Sequence, residues 1–338
     1  MSKAPPSSMR SLRGLADSHG KNIFLSAKGI QERITHQDHS CGEVMDKALE
    51  LKIVRRAYAK HLMAAIGSND LDLEKAFASI RREDFLGPGP WQTFRGPGFY
   101  IPTPSDDPVY LYTDMVFGIV PERNINNGQP SLHAALIGTV GIKQGEHVLH
   151  VGAGAGYYTA IMSRLVGSAG RVTAVEFDPK LADLAKKNLS IFPNIQVLRA
   201  NGAEADFNAA DVIYVNAGTT RPAERWLDRL SDSGRLVLPL TTDESILPGD
   251  DGTVDATKLA RRGAVFLIHR KGTDFLASWL FPAAYILAEG VRDPVSEAAL
   301  ADAFKKGDGQ KVTRLYRSNE IPAERCWLQG EGWGLAYE

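Results

Sequence analysis

The chain has 338 residues, a hydrophobic fraction of 43%, a charged fraction of 23% and a formal net charge of −1. These proportions are those of an ordinary globular protein, and they exclude a wholly disordered, collagen-like or disulfide-scaffold chain. Because the charges balance and are well mixed, nothing in the composition predicts binding to nucleic acid or to an anionic membrane. The length suggests two domains, or one large domain with extensions.

The cysteines and the apolar stretches help to predict where in the cell the protein is located. Cys41 and Cys326 lie far apart and form no close-spaced zinc or redox pair. Lone thiols suit a reducing compartment. The N-terminus has no apolar run of the kind found in a secretory signal, and the longest apolar stretch, at 279–288, is about half of the ~20 residues that a membrane-spanning helix needs. We therefore expect a cytoplasmic protein with no membrane partner.

Residues 1–42 are polar and are predicted to form a tail. His36, His39 and Cys41 lie close together in this tail and raise the question of a metal site. No second ligand pair follows at zinc-finger spacing, so we predict a solvated tail and no metal.

Residues 43–125 are predicted to form an N-terminal region of helices and irregular segments. Apolar residues recur at helical spacing over 43–66. Asp70 or Asp72 can cap a second helix that ends near Ile80. The many Pro, Asp and Tyr residues of 92–123 predict an ordered connection with a short strand or two.

From residue 145 onward, strand and helix signals alternate along the chain. The predicted strands are 147–151, 172–176, 195–199, 212–215, 235–240, 264–269 and 274–280, and the predicted helices are 157–166, 179–189 and 221–230. Repeated βα units predict an α/β fold with a doubly wound, mostly parallel, seven-stranded Rossmann-like sheet. We place this domain at 126–292, and a C-terminal extension with one helix at 293–338.

The strongest functional signal is the glycine-rich segment VGAGAGYYTA at 151–160, which follows the first strand and opens a helix. Gly152, Gly154 and Gly156 allow a tight turn and the close approach of a ligand to the backbone. The second strand ends at Glu176, which predicts a carboxylate beside the loop. There it would accept hydrogen bonds from ribose hydroxyls, worth roughly 1.5–3 kcal/mol each.

The position after the third glycine distinguishes the possible nucleosides. The dinucleotide fingerprint G-x-G-x-x-G/A requires a small residue where this chain has Tyr157. A bulky aromatic residue there argues against NAD and favours a ligand without a pyrophosphate. S-adenosylmethionine suits the pattern best; another nucleotide, or a loop with only a structural role, are the alternatives.

The order of the motifs resembles that of a class I methyltransferase. The glycine loop is followed by Glu176, by Asn201-Gly202, by a strand at 211–216 and by GRLVLPL at 234–240. Three segments are similar to motifs of the protein-L-isoaspartate O-methyltransferases. IRREDFLGP (80–88) is similar to their R-x-x-F-hydrophobic-P, NNGQPSLHAAL (126–136) to the segment around I-S-x-P, and VGAGAGYYTA to I-G-T-G-S-G-Y-x-x-A. The resemblance covers about 48–240, and it implies S-adenosylmethionine as cofactor.

The resemblance also implies which residues contact the cofactor. The glycine loop would line its methionine part, Glu176 would bind the ribose, and Phe177 and Asn201-Gly202 would lie near the adenine. Asn216, at the end of the fourth strand, is expected to face the same cleft. The predicted cofactor residues are Gly152, Ala153, Gly154, Gly156, Glu176, Phe177, Asn201, Gly202 and Asn216.

For the acceptor, the resemblance implies a carboxylate of a protein or peptide. A carboxylate is already an anion at neutral pH, so its methylation requires no general base. Asn127, Gln129 and His133 are the predicted catalytic residues, with the role of positioning the acceptor. This chain departs from the family at Gly128, where the family has Ser, and at Asn201, where it has Asp. Two alternatives therefore stay open: methylation of another peptide or small-molecule oxygen or nitrogen, and a non-catalytic module that binds S-adenosylmethionine.

Overall fold

The computed structural model describes residues 46–96, 98–243 and 262–338. The predicted tail at 1–42, with its histidine and cysteine cluster, lies outside the described residues. The described residues from Lys47 to Glu338 group into a single compact unit.

Three helices begin the described chain: α1 (Lys47–Ala65), α2 (Leu71–Ser79) and α3 (Glu83–Leu86). The predicted cap of the second helix is confirmed, because an oxygen of Asp70 accepts hydrogen bonds from the backbone N–H of Asp72 at 2.9 Å and of Leu73 at 3.0 Å. The buried faces of α1 and α2 pack in one hydrophobic cluster with α5, described below. This packing brings the end of α2 close to the glycine loop.

Two small hairpins and a helix connect this region to the main sheet. The strands are β1 (Gln92–Gly96), β2 (Phe99–Pro102), β3 (Gly118–Val120) and β4 (Ile125–Asn126), and the helix is α4 (Pro130–Val140). The short strands confirm the prediction for this segment. Helix α4 was not predicted, although Pro at its first position and Gly141 in the left-handed region after its end are ordinary boundary signals.

The main sheet contains all seven predicted strands. In chain order its first elements are β5 (His147–Val151), α5 (Tyr157–Val166), β6 (Arg171–Glu176), α6 (Pro179–Leu189), β7 (Ile195–Arg199), β8 (Ala210–Val215), α7 (Glu224–Arg229), β9 (Leu230–Thr241), β10 (Gly263–Lys271) and β11 (Asp274–Pro282). Strands β7-β6-β5-β8-β9 are parallel neighbours in that order, and β10 and β11 continue the sheet antiparallel. The predicted α/β fold with a doubly wound sheet is confirmed.

The C-terminal extension corrects the predicted number of strands. Its helix α8 (Pro294–Lys306) was predicted, but it is followed by β12 (Arg314–Tyr316), β13 (Cys326–Gly330) and β14 (Trp333–Ala336). These strands join the free edge of β11 in the order β11-β12-β14-β13, so the sheet in the described part of the chain has ten strands. Short 3₁₀ helices lie at Pro108–Leu111, Pro121–Arg123 and Gly309–Lys311.

The core lies in two layers on the two faces of the sheet. All five side chains of β5 are buried, as expected for a central parallel strand that is covered on both faces. Helices α1, α2, α4, α5 and α6 contribute to one hydrophobic cluster, and α7, α8 and the C-terminal strands contribute to the other. Among the described residues, none of the helices has both the length and the apolar character needed to cross a membrane.

Candidate functional site

The site lies where the chain changes direction across the sheet. Strand β5 leads through α5 to β6 on one side, and the chain later returns to place β8 on the other side. The carboxyl ends of β5 and β8 therefore diverge at a topological switch point, which is where open α/β sheets bind their ligands. The glycine loop occupies this point.

The backbone of the glycine loop has the conformation that the sequence predicts. Gly152, Gly154 and Gly156 have φ angles of 77°, 56° and 98°. At Gly152 a side chain would also be obstructed, because a Cβ would lie 3.0 Å from the backbone oxygen of Asn216. The Asn216 side chain donates a hydrogen bond to the Gly152 carbonyl at 3.2 Å. The end of β8 thus fixes the start of the loop.

The carboxylate of Glu176 lies against this loop and is almost completely buried, with 7% of the residue exposed. One oxygen accepts a hydrogen bond from the Gly154 N–H at 2.7 Å, and the other accepts from the Asp178 N–H at 3.0 Å. Burial raises the pKa of Glu176, and the backbone donors oppose that rise. Each oxygen keeps a second lone pair, so the carboxylate can still accept hydrogen bonds from a ligand.

The predicted adenine residues lie at the same sheet edge. Phe177 follows Glu176 and is 48% exposed. Asn201 follows β7, and its side chain accepts a hydrogen bond from the Ala203 N–H at 3.0 Å. Gly290 passes directly over it, since a Cβ on Gly290 would lie 2.6 Å from Cγ of Asn201. Gly202 is buried and accepts a hydrogen bond from the Trp226 indole at 2.8 Å.

A cleft opens beside the loop, with about 370 Å³ of space when the solvent at its open mouth is counted. The predicted residues in its wall are Ala153, Gly154, Gly156, Asn216 and Asn127. Gly152, Glu176, Phe177, Asn201 and Gly202 do not line this cleft; they belong to the loop's start and to the adjacent ends of β6 and β7. The predicted cofactor residues therefore lie together at one edge of the sheet. Some of them line the cleft, and the others lie at its border.

The hairpin of β3 and β4 covers the glycine loop and carries the first predicted acceptor residue. Ile119 of β3 lies over the loop, with its Cδ1 at 3.7 Å from the position that a Cβ on Gly154 would take. Asn127 ends the hairpin: its side-chain oxygen accepts from the Phe117 N–H at 2.8 Å, and its own N–H donates to the Phe117 carbonyl at 2.9 Å. Asn127 thus reaches the cleft wall while holding the hairpin in place.

Gln129 does not reach the cleft. Its amide donates a hydrogen bond to Asp114 at 3.0 Å. Asp114 also accepts bonds from the backbone N–H and the hydroxyl of Ser131, both at 2.7 Å. Sequence reasoning missed Asp114, because its partners lie 15 and 17 residues away and no local spacing indicates the pairing. It supplies the side-chain acceptor for the Ser131 N–H, one of the free N–H groups at the start of α4.

His133 lies beneath the loop that contains Gly128, not in the cleft wall. It is 1% exposed, its Nδ1 is 2.8 Å from the Tyr214 hydroxyl, and its ring stacks on Tyr158 with centroids 3.7 Å apart. Burial, with a smaller contribution from His150, lowers the pKa of His133 to about 3. A Cβ at Gly128 would overlap the imidazole of His133, with 2.9 Å to Cδ2.

A second buried histidine, His150, was not identified from the sequence. Its Nδ1 is 2.8 Å from the hydroxyl of Thr159, its Nε2 has no hydrogen-bond partner among the described residues, and its ring packs edge-on against Tyr214 at 5.5 Å. Burial lowers its pKa to about 3. Both histidines are therefore neutral at physiological pH, and both contact Tyr214.

Known proteins resemble the chain in sequence. The family model "Protein-L-isoaspartate(D-aspartate) O-methyltransferase (PCMT)" matches residues 100–248. A protein-L-isoaspartate O-methyltransferase of Thermotoga maritima is 30% identical over 224 residues, which are 64% of this chain and 61% of that protein. The chain thus spans less than two thirds of that relative. One of Methanocella arvoryzae is 34% identical over 145 residues, which are 42% of this chain and 75% of that protein.

Solved structures resemble the chain in fold. A structure named protein-L-isoaspartate O-methyltransferase has a TM-score of 0.54 and 26% identity, covering 79% of this chain and 73% of that one. A Plasmodium falciparum structure, described as a β-aspartate methyltransferase in complex with S-adenosyl-L-homocysteine, has a TM-score of 0.52 at 16% identity. It covers 70% of this chain and 98% of that chain, and it shares the fold.

Proposed function

The chain belongs to the protein-L-isoaspartate O-methyltransferase family, and from this premise we propose that it transfers a methyl group from S-adenosylmethionine to a carboxylate of a protein or peptide. The isoaspartyl side chain is the acceptor that the relatives' names indicate. The observation that carries the proposal is the contact between the Gly154 N–H and the buried carboxylate of Glu176 at the switch point of the sheet. A cytoplasmic location stays a prediction from the sequence.

The residues at this edge suit the cofactor. Glu176 keeps lone pairs for the ribose hydroxyls, and Phe177 offers an exposed aromatic face beside it. The positive φ angles of the loop bring bare backbone to the cleft. The first turn of α5, which begins at Tyr157, presents free N–H groups and the positive end of a helix dipole to the amino-acid part.

The chemistry requires little acid–base assistance. When bound, S-adenosylmethionine supplies a methyl carbon that bonds to the acceptor oxygen as its bond to sulfur breaks, the electron pair staying on sulfur. No proton moves when the acceptor is a carboxylate. The residues of this chain then act by aligning the methyl group with the acceptor oxygen. In well-oriented intramolecular reactions, such alignment lowers the reaction barrier by about 7–11 kcal/mol. Ile119 adds an apolar side chain to the wall of the cleft.

Of the predicted catalytic residues, Asn127 is the one we propose to contact an acceptor directly, because it lines the cleft. Gln129 contributes through Asp114, and His133 contributes by supporting the backbone at Gly128. Both are positioning residues in this proposal. The low pKa of His133 keeps its ring neutral, so it supplies no charge to the acceptor.

One observation favours a different acceptor. Gly128 stands where the resemblance has Ser, and His133 fills the space that a side chain at 128 would use. An acceptor that reached this position would meet bare backbone and no hydroxyl. A different peptide or small-molecule oxygen or nitrogen is the second candidate, and a non-catalytic cofactor-binding module is the third.

The test is a transfer assay with labelled S-adenosylmethionine and two peptides that differ only in an isoaspartyl or an aspartyl linkage. We expect base-labile label on the isoaspartyl peptide, no label on its partner and a greatly reduced rate for Glu176→Gln. Label on small molecules or on other peptides, with none on the isoaspartyl peptide, would establish the second candidate. Binding of S-adenosylhomocysteine without any labelled acceptor would establish the third.

A further inference from the structure

Arg82 is a completely buried arginine that lines the cleft. It precedes α3, its exposed fraction is 0%, and it forms part of the cleft wall opposite the glycine loop. An arginine remains protonated in proteins, so this part of the wall carries a permanent positive charge. Arg82 lies in the segment IRREDFLGP, where the sequence alone predicts no role for it.

The protein compensates this charge only in part. The guanidinium donates hydrogen bonds to the carbonyls of Leu111, Thr113 and Met115, the last two at 2.9 and 3.3 Å. Within the described ranges, its Nε has no hydrogen-bond partner and no ion pair involves Arg82. Burial of a charge without a counter-charge is costly, because the ion loses its hydration. A buried guanidinium with no carboxylate partner is therefore an unusual feature.

Aromatic rings form the rest of its environment. The guanidinium carbon lies 5.5 Å from the centroid of Tyr58, 5.2 Å from that of Phe117 and 5.6 Å from that of Tyr157. Such rings stabilise a cation through their faces but do not neutralise it. They also keep water away from it, which strengthens its interaction with any anion that enters.

The cleft wall is otherwise uncharged. Arg82 is the one charged side chain among the described residues that line it. Tyr157, whose ring contacts the guanidinium, is the first residue of α5, so the positive end of that helix faces the same space. Both features favour a negative group in the cleft, and the wall supplies none.

We propose that Arg82 is the binding residue for a carboxylate that enters this cleft with a ligand. The inference rests on the proposed function, which brings two carboxylates to the site: that of the cofactor's amino-acid part and that of the acceptor. The chemistry is the same for both, and the experiment distinguishes them. Hydrogen bonds to charged groups predict a loss of about 10- to 100-fold in affinity for the ligand concerned.

The experiment measures the binding of two nucleosides by wild type, Arg82→Met and Arg82→Lys. S-adenosylhomocysteine carries the carboxylate, whereas 5′-methylthioadenosine lacks the amino-acid part. If Arg82 binds the cofactor's carboxylate, Arg82→Met weakens the affinity for S-adenosylhomocysteine about 10- to 100-fold and leaves the affinity for 5′-methylthioadenosine unchanged. If it binds the acceptor, both affinities are unchanged and the KM for the isoaspartyl peptide rises by that factor. Arg82→Lys keeps the charge and is expected to recover part of the loss.

The matched control is Arg235→Met. Arg235 is also largely buried, but it pairs with Glu146 at 2.8 Å. It lies in the middle of β9 and is paired with Val212 near the amino end of β8, away from the carboxyl ends of the parallel strands. We expect the Arg235→Met substitution to lower the melting temperature without changing the ratio of the two nucleoside affinities. Equal weakening of both nucleosides in Arg82→Met, or no change in any of the three quantities, would overturn the assignment. Failure of the wild type to bind either nucleoside would instead contradict the proposed function, together with the inference that rests on it.

Discussion

The imidazole of His133 occupies the space that a side chain at Gly128 would need. Gly128 has a φ of 70°, and a Cβ there would overlap the His133 ring. The two positions are therefore coupled: a side chain at 128 requires the His133 ring to shift, or a smaller residue in its place.

Gly128→Ser is expected to destabilise the protein and not to increase methyl transfer to an isoaspartyl peptide. The left-handed backbone alone costs a residue with a Cβ about 1–2 kcal/mol, and the overlap with His133 adds to it. Urea unfolding measures the free-energy change. The double variant Gly128→Ser/His133→Ala removes the overlap but keeps the backbone cost, so it should show a smaller incremental effect of the serine. Wild-type stability in Gly128→Ser would contradict the coupling.

Glu176→Gln is expected to weaken S-adenosylhomocysteine binding by about 10- to 100-fold, because each hydrogen bond to an ionised group contributes about 1.5–3 kcal/mol. The change also leaves one of the two backbone donors, on Gly154 or Asp178, without its acceptor. Calorimetric titration gives the affinity, and a thermal melt separates it from general destabilisation. Asp183→Asn, at an exposed carboxylate on α6, is the control and should bind as wild type does. Equal affinities of Glu176→Gln and wild type would remove Glu176 from the ribose site.

Two of the three buried histidines of the described chain, His133 and His150, predict a loss of stability in acid. A histidine has a pKa near 6.5 when unfolded, and burial lowers the pKa values of His133 and His150 to about 3. Between those values the unfolded chain binds more protons than the folded one, so stability falls as the pH falls from about 6.5 toward 3. At pH 5 each histidine accounts for a loss of about 2 kcal/mol relative to pH 7.

The measurement for this prediction is the free energy of unfolding at pH 7 and pH 5. His133→Asn should reduce the difference between the two pH values by about 2 kcal/mol. His61→Asn, a change at an exposed histidine on α1, is the control and should leave the difference as it is in the wild type. An unchanged difference in His133→Asn would show that the folded protein binds a proton at this site.

Asp114→Ala is expected to loosen the start of α4. The carboxylate binds the Gln129 amide and both donors of Ser131, so its removal leaves three donors without this partner. A cost of about 1–3 kcal/mol follows from the loss of hydrogen bonds to a charged group. Ser131→Ala loses only the hydroxyl bond and should cost less. Hydrogen exchange of the first turn of α4 reports the effect locally, and unchanged exchange in Asp114→Ala would contradict it.

Local signals in the sequence determined much of the fold. Helices α5 and α6 begin and end at their predicted residues. Asp178 caps α6 with bonds to Lys180 and Leu181 at 2.8 and 3.0 Å, and Pro179 takes its first position. Helix α4 was missed although its six buried residues recur at helical spacing, because apolar residues that are only partly buried, such as Leu132 and Ala135, obscure the stripe in the sequence. The strands β12–β14 were missed because they have three to five residues and are stabilised mainly by pairing with distant parts of the chain.

The sequence predicts those parts of the site whose residues come in a fixed order along the chain. The glycine loop and the acid at the end of the next strand have a fixed order, so Gly154 and Glu176 could be paired from sequence alone. Arg82 could not be assigned in this way, because the carbonyls that hold it lie 29 to 33 residues later. Gln129 was expected in the cleft, but the Asp114 that binds its amide is revealed only by the folded chain.

We propose that the glycine loop and Glu176 together bind S-adenosylmethionine. The most direct measurement is a crystal structure of the protein with S-adenosylhomocysteine. We expect the nucleoside at the carboxyl ends of β5 and β6, with a ribose hydroxyl within hydrogen-bond distance of the Glu176 carboxylate and the amino-acid part beside the glycine loop. A nucleoside bound elsewhere, or a Glu176 carboxylate that makes no contact with it, would contradict the account.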